Sequence, residues 1–346
     1  MGVLDNRVTK PPERRSPLAG ANRFRVASPG LSDVLFANEP QTFDTYATVA
    51  SNIQAVEAAL LFSAGLQTFV TLVGPSGWGK SHLLEASATR IRKELGRGAC
   101  RVLNASEWVS STSPVDPTAP LLLDNVHEAM ERARLRIPFK LALERRVRAG
   151  RPTMLVFSEN RAGRLLRAFL PSGREWEIAH LGAPEVGERR TIIHRIARSI
   201  DLSIGPCLEA MLAKGLRGNG RTLRGALMRL KLHGNEWNTD RCVLEACGIV
   251  NPFFADNSGW DLVGAVLGAA AEWAPTESCS RERLAIYTLL REAQLPEAEV
   301  ARAVGAEPAA VYLRAEKFGE EMRRNPELQK EQDAFVHAVV GRLQSL

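Results

Sequence analysis

The sequence predicts an α/β fold, a parallel sheet built around a phosphate-binding loop, followed by a helical C-terminal part. Three observations predict it. The run Gly74-Pro75-Ser76-Gly77-Trp78-Gly79-Lys80-Ser81 fits G-x-x-x-x-G-K-[ST], in which backbone N–H groups and a helix N-terminus converge on phosphate. It lies between an apolar, β-branched run at 69–73 and a helical start at 81–86, the context that motif needs. Strand-like runs alternate with helical stretches as far as Pro184, beyond which the strand signal disappears.

Each element has its own signal. Ile53, Val56, Ala59 and Leu60 give helical spacing over 52–62. After the loop, Arg101-Val102-Leu103 is a second strand, 120–126 a third strand carrying Asp124, and 153–158 a fourth; 138–148 is a basic helix. Such alternation implies a parallel sheet covered on both faces. Helical spacing then holds over 185–200, 207–214 and 222–232, an all-helical unit. A linker or sharp turn is expected at 251–259. Further helices are predicted at 260–273, 281–293, 297–304, 308–324 and 328–346.

The 346 residues, 45% hydrophobic, suffice for a sizeable core. No apolar run approaches the roughly 20 residues that cross a bilayer, and the N-terminus has no apolar signal core, which predicts a cytoplasmic protein. Cys100, Cys207, Cys242, Cys247 and Cys279 form no C-x-x-C pair and predict free buried thiols in a reducing compartment. The net charge of +6 is unevenly spread: residues 1–36 carry +3, 37–184 and 185–250 carry +4 each, and 258–346 carry −4. Residues 1–36, rich in Pro, Arg, Ser and Gly, read as a disordered basic tail.

The chemistry gathers around the loop. Ser81 and an acid at a strand end hold Mg²⁺ in such sites, and Asp124 is placed for it. The following position, where hydrolytic sites of this kind usually carry a second acid to polarise water, is Asn125, a poor base; Glu128 stands three residues on. Eight basic residues against two acidic ones over 130–151, with Arg145, Arg146 and Arg148 clustered, make either a nucleic-acid patch or a solvated face. His82 reads as a packed residue, and the large Trp78 as a cover for nucleotide or a contact for a partner.

Several of these segments resemble the AAA+ module of the bacterial replication initiator DnaA. They are Gln41-Thr42-Phe43-Asp44, Ser51-Asn52, and 74–86 with its Gly-Lys-Ser-His-Leu-Leu-Glu-Ala. Ser158-Glu159-Asn160-Arg161 resembles the sensor 1 strand end, and Asn219-Gly220-Arg221-Thr222-Leu223-Arg224-Gly225-Ala226-Leu227 the lid motif that supplies the sensor 2 arginine, Arg221. Glu175-Trp176 and Ala183-Pro184-Glu185 resemble the passage into the lid, and 295–324 the family's helix-turn-helix. The resemblance implies an AAA+ core over 37–184, a helical lid over 185–250, a linker and connecting helix over 251–279, and a helix-turn-helix domain over 280–346. It also implies ATP/ADP and Mg²⁺ as cofactors. Residues 74–82 and Arg221 would bind nucleotide, Lys80 and Asp124 would act on the phosphates and metal, and Asn160 and Arg221 would sense the terminal phosphate.

The departures from that family matter as much. The register of the arginine finger holds Gly173, with Arg174 one place late; Arg174 either reaches a neighbouring nucleotide or is a solvated arginine. The stretch between Arg101 and Asp124 is too short for the family's helical insertion that engages single-stranded DNA. The DNA-reading turn is Gly305-Ala306-Glu307-Pro308-Ala309-Ala310-Val311, without donors for base edges. The expected function is therefore nucleotide-controlled assembly with DnaA, with DNA or with itself, in replication initiation or its control. An Hda-like regulator of DnaA and a non-hydrolysing nucleotide-bound scaffold are the alternatives.

Overall fold

A computed structural model describes residues 40–110, 118–158, 166, 169–171, 174–254, 261–274 and 279–345. The core elements are α1 (Ile53–Ser63), β1 (Phe69–Gly74), α2 (Lys80–Leu95), β2 (Arg101–Asn104), α3 (Ala105–Ser110), β3 (Leu121–Asp124), α4 (Val126–Glu131), α5 (Ala133–Arg148), β4 (Thr153–Ser158) and β5 (Glu177–His180). The sheet is parallel, in the order β2-β3-β4-β1-β5.

Alternation along the strands builds the two faces. Val70, Leu72, Leu122, Met154 and Val156 pack under α1 and α2. Phe69, Val73, Leu121, Leu123, Leu155 and Phe157 face α3, α4 and α5. Because β1 and β4 lie side by side in the sheet with Gly74 opposite Ser158, the loop leaves the sheet at its C-terminal edge, where ligands of open α/β sheets bind.

Several details correct the sequence reading. The third strand ends at Asp124, and Val126 already starts α4. β5 carried no sequence signal because it is an edge strand whose one buried residue is Ala179. Arg146 does not belong to a surface cluster: it is buried, donating to Thr153 Oγ1 (3.0 Å) and to the carbonyls of Pro152 (3.0 Å) and Ala119, so it ties α5 to the starts of β3 and β4. Arg145 and Arg148 are exposed.

The remaining elements are α6 (Val186–Ser199), β6 (Ser203–Ile204), α7 (Pro206–Gly215), α8 (Gly220–His233), β7 (Glu236–Trp237), α9 (Asp240–Val250), α10 (Leu262–Glu272), α11 (Arg281–Tyr287), α12 (Glu297–Val304), α13 (Pro308–Arg324) and α14 (Pro326–Ser345). This region is not purely helical, since β6 and β7 form a two-residue parallel pair. The helix expected over 281–293 passes into a π turn at Thr288–Glu292, and 251–254 is a 3₁₀ turn with Phe254 buried. Cys100, Cys247 and Cys279 are buried free thiols, while Cys207 and Cys242 are half-buried. Burial pushes the thiols of Cys100, Cys207 and Cys247 up, and that of Cys279 to about 11, which keeps them protonated and unreactive.

One apolar core runs from Ile193 in α6 to Leu343 in α14. Polar contacts follow the same path: Gln332 donates to Thr288 Oγ1 (2.9 Å), Arg241 reaches Asp333 (2.5 Å), and His337 meets Asp240 (2.7 Å). Helices after 280 therefore share their interior with the helices before 250. Phe335, fully buried with Trp273 edge-on at 5.4 Å, lies in that interior. Phe335→Ala is expected to cost about 3–5 kcal/mol of stability by chemical denaturation. Amide hydrogen exchange should quicken in α9 as well as in α14.

Candidate functional site

A cleft of about 560 Å³ opens at the C-terminal edge of the sheet, within the range of small-molecule sites. Its lining includes the loop from Ser76 to His82, the strand-edge set Asp124, Asn125, His127 and Glu128, the helical set Arg195, Gly220, Arg221 and Arg224, and Thr45, Tyr46 and Asn52 from the segment before α1.

The loop's shape follows from its glycines. Gly77 and Gly79 have φ of 84° and 92°, in the left-handed region that side chains resist. A Cβ on Gly77 would sit 2.4 Å from the side chain of Asn219, and one on Gly79 would sit 2.6 Å from the Tyr46 ring. Lys80 is buried, with its ammonium donating to the carbonyls of Gly74 (2.7 Å) and Pro75 (2.6 Å), so the charge is held inside the loop. Ser81 follows in the first turn of α2 and lines the same cleft as Asp124.

Residues 42–46 strap the loop from one side. His82 Nε2 lies 3.2 Å from Thr45 Oγ1 and 3.0 Å from the Thr42 carbonyl, its ring edge-on to Tyr46 at 5.2 Å. Tyr46 donates its hydroxyl to the Trp78 carbonyl (3.4 Å), and burial pushes its pKa well up, so it stays a neutral donor. His82 is thus half-buried, held by Thr42 and Thr45 and packed on Tyr46.

The helical side closes the cleft from the other direction. Asn219 caps α8, its Oδ1 accepting from the N–H groups of Arg221 (3.0 Å) and Thr222 (3.3 Å). Trp78 packs against the helical core, a contact inside the same chain. Glu188 tethers α6 to the core: it accepts from Ser51 N–H (2.7 Å) and Glu185 N–H (2.8 Å). Burial works against that carboxylate, yet the donors at Glu185, Ser51 and Ala50 outweigh it and lower its pKa.

Of the residues singled out from sequence, the fold brings Ser76, Gly77, Trp78, Gly79, Lys80, Ser81, His82, Asp124 and Arg221 to one cleft. Asn160 and Gly173 lie outside the described residues, although Ser158, two residues before Asn160, lines the cleft. Arg174 is exposed beside Gly150, at the sheet edge away from the loop. Asn125 adopts a left-handed conformation (φ 52°), which Asn tolerates better than most residues, and its N–H donates to Asp124 Oδ1 (2.7 Å). Sequence reasoning missed Thr45, Tyr46, Asn52, His127, Arg195 and Arg224, all lining the cleft. Signals existed for Asn52, within the quoted segment Ser51-Asn52, and for Arg224, one helical turn past Arg221.

Neither a family model nor a curated protein sequence matches the chain. Among solved structures, domain III of the Thermotoga maritima replication initiation protein DnaA is similar, with a TM-score of 0.51 at 18% identity over 63% of this chain and 98% of that one. This is a DnaA-like AAA+ fold. AMPPCP-bound DnaA from Aquifex aeolicus (TM-score 0.49, 17% identity, 86% of this chain and 98% of that one) ranks below it. So does the RuvB Holliday junction branch migration motor of T. maritima (0.47, 20%, 78% and 86%). The fold statement rests on the first, and at these identities the likeness speaks for the AAA+ fold alone.

The contact between the loop and the start of α8 is testable without any ligand. Gly77→Ala places a methyl on the Asn219 side chain in a left-handed backbone, and should cost about 1–2 kcal/mol of stability. Thermal unfolding of the ligand-free chain measures it.

Proposed function

We propose that the chain is an AAA+ nucleotide switch that binds ATP and ADP with Mg²⁺ and acts in initiation of chromosomal replication or its control. Its output would be nucleotide-controlled assembly with DnaA or another initiation protein, or with itself. The observation that carries the reading is the convergence of Lys80, Asp124 and Arg221 on one cleft from three separate elements. Lys80 would pair with β- and γ-phosphate oxygens, and Arg221 would sense the terminal phosphate from the lid. The oxygen donors of Ser81 and Asp124 suit a hard divalent cation that takes its remaining ligands from phosphate and water.

DNA is the weaker half of the expected partnership. In the C-terminal helices Arg283 pairs with Glu321, Arg291 with Glu316 and Arg314 with Glu282. Arg283 and Arg291 also lie over the rings of Phe318 (4.8 Å) and Tyr312 (5.1 Å). Guanidiniums held this way offer little to phosphates, and the exposed start of α13 presents Pro308, Ala309, Tyr312 and Leu313. These features favour protein contacts for the helix pair α12–α13.

Calorimetric titration with ATP and ADP tests the switch. The unaltered chain should bind both, and Lys80→Ala should lose ~100-fold or more in affinity. An unaltered chain that binds neither nucleotide ends the reading. Asn125 supports a second one, a non-hydrolysing scaffold with retained nucleotide. Asn125→Asp keeps a side chain that tolerates the left-handed backbone. If that single change yields steady ATP turnover, the scaffold reading loses its ground.

A further inference from the structure

The nucleotide reading uses one lid arginine, but the cleft holds three. Arg221 and Arg224 stand one turn apart on α8, and the burial of Leu223, Ala226, Leu227 and Leu230 turns the opposite face of that helix to the cleft. Arg195 comes from α6, whose Ile193 and Ala197 are buried in the same core. Among the described residues none of these three guanidiniums has an acidic partner or a side-chain hydrogen bond. Other cations of the lid do: Arg190 reaches Glu209 (3.5 Å), Arg189 the Leu216 carbonyl (3.1 Å) and Lys231 the Asp201 carbonyl (2.8 Å).

The charge in the cleft is therefore unbalanced. Lys80, Arg195, Arg221 and Arg224 face Asp124 and Glu128, and the N-termini of α2 and α8 add positive potential at the same place. A nucleoside triphosphate carries about four negative charges near neutral pH and a diphosphate about three. With a divalent cation on the acidic wall, the triphosphate neutralises the cleft and the diphosphate leaves a positive charge uncompensated. Guanidinium forks also match phosphate geometry in a way that a point charge does not.

We propose that Arg224, together with Arg195, determines specificity: the two guanidiniums make the cleft prefer a nucleoside triphosphate to the diphosphate by engaging the terminal phosphate from the lid. The inference rests on the nucleotide reading above. It assigns the discrimination to residues beyond Arg221, and it makes the lid's hold on the loop strongest in the triphosphate state.

The test is titration of the full-length chain with ATP and with ADP, each with Mg²⁺, for the unaltered protein and for Arg224→Ala, Arg224→Lys, Arg195→Ala and Arg229→Ala. Arg229 is exposed on the same helix but does not line the cleft, so it controls for bulk charge. Arg224→Ala and Arg195→Ala should each weaken ATP binding about tenfold while changing ADP binding less than about threefold. Arg224→Lys should recover part of the loss, and Arg229→Ala should leave both affinities in place. Thermal unfolding without nucleotide checks that each variant folds. Equal weakening of ATP and ADP by Arg224→Ala, or no weakening of either, overturns the inference and leaves the nucleotide reading standing. An unaltered chain that binds neither nucleotide overturns both.

Discussion

The cleft exists because the N-terminus of α8 rests on the phosphate loop. Asn219 performs two tasks there, capping the helix and occupying the space that any side chain at residue 77 would need. Gly220 is pressed as close: a Cβ on it would lie 2.7 Å from the Gly77 carbonyl. Trp78 carries the contact further, from the loop into the helical core. On the far side of the loop, Thr45, Tyr46 and His82 hold it against the strap at 42–46. The loop is thus gripped between two elements far apart in sequence, and a ligand that reshapes it acts on both.

That grip has consequences because the helical region is continuous inside. The core that receives Trp78 also holds Phe318, Phe335 and Leu343 near the end of the chain. The contact of α8 with the loop and the packing of α13 and α14 therefore belong to one close-packed interior, which transmits strain from one to the other. The hydrogen bond from Ser51 N–H to Glu188 ties α6 to the segment just before α1. The arginines of the C-terminal helices are tied to acids of neighbouring helices, and the pairs Arg283–Glu321 and Arg314–Glu282 stitch α11 to α13.

Local patterns carried the parts of the protein that depend on neighbouring residues. The sheet-forming runs at β1, β3 and β4, the glycines of the loop, Lys80 and Ser81, Asp124 at a strand end, and most helices were legible, because burial on a strand or helix face leaves a period in the sequence. β5 was not legible, since an edge strand with one buried alanine leaves no period. Arg146 read as surface charge, because nothing local reveals that its guanidinium finds the Ala119 and Pro152 carbonyls.

The sequence by itself determined that the chain builds a phosphate loop on a parallel sheet, and that Asp124 closes one of its strands with Asn125 next to it. Only the tertiary structure decided what faces that loop. It brought Arg195 and Arg224 to join Arg221, packed Trp78 against the helical core, and left Arg174 beside Gly150. The reason is physical: a strand or loop is specified by residues within a few positions of each other, whereas the charge balance of a cleft is set by side chains more than a hundred residues apart that only the packed core brings together.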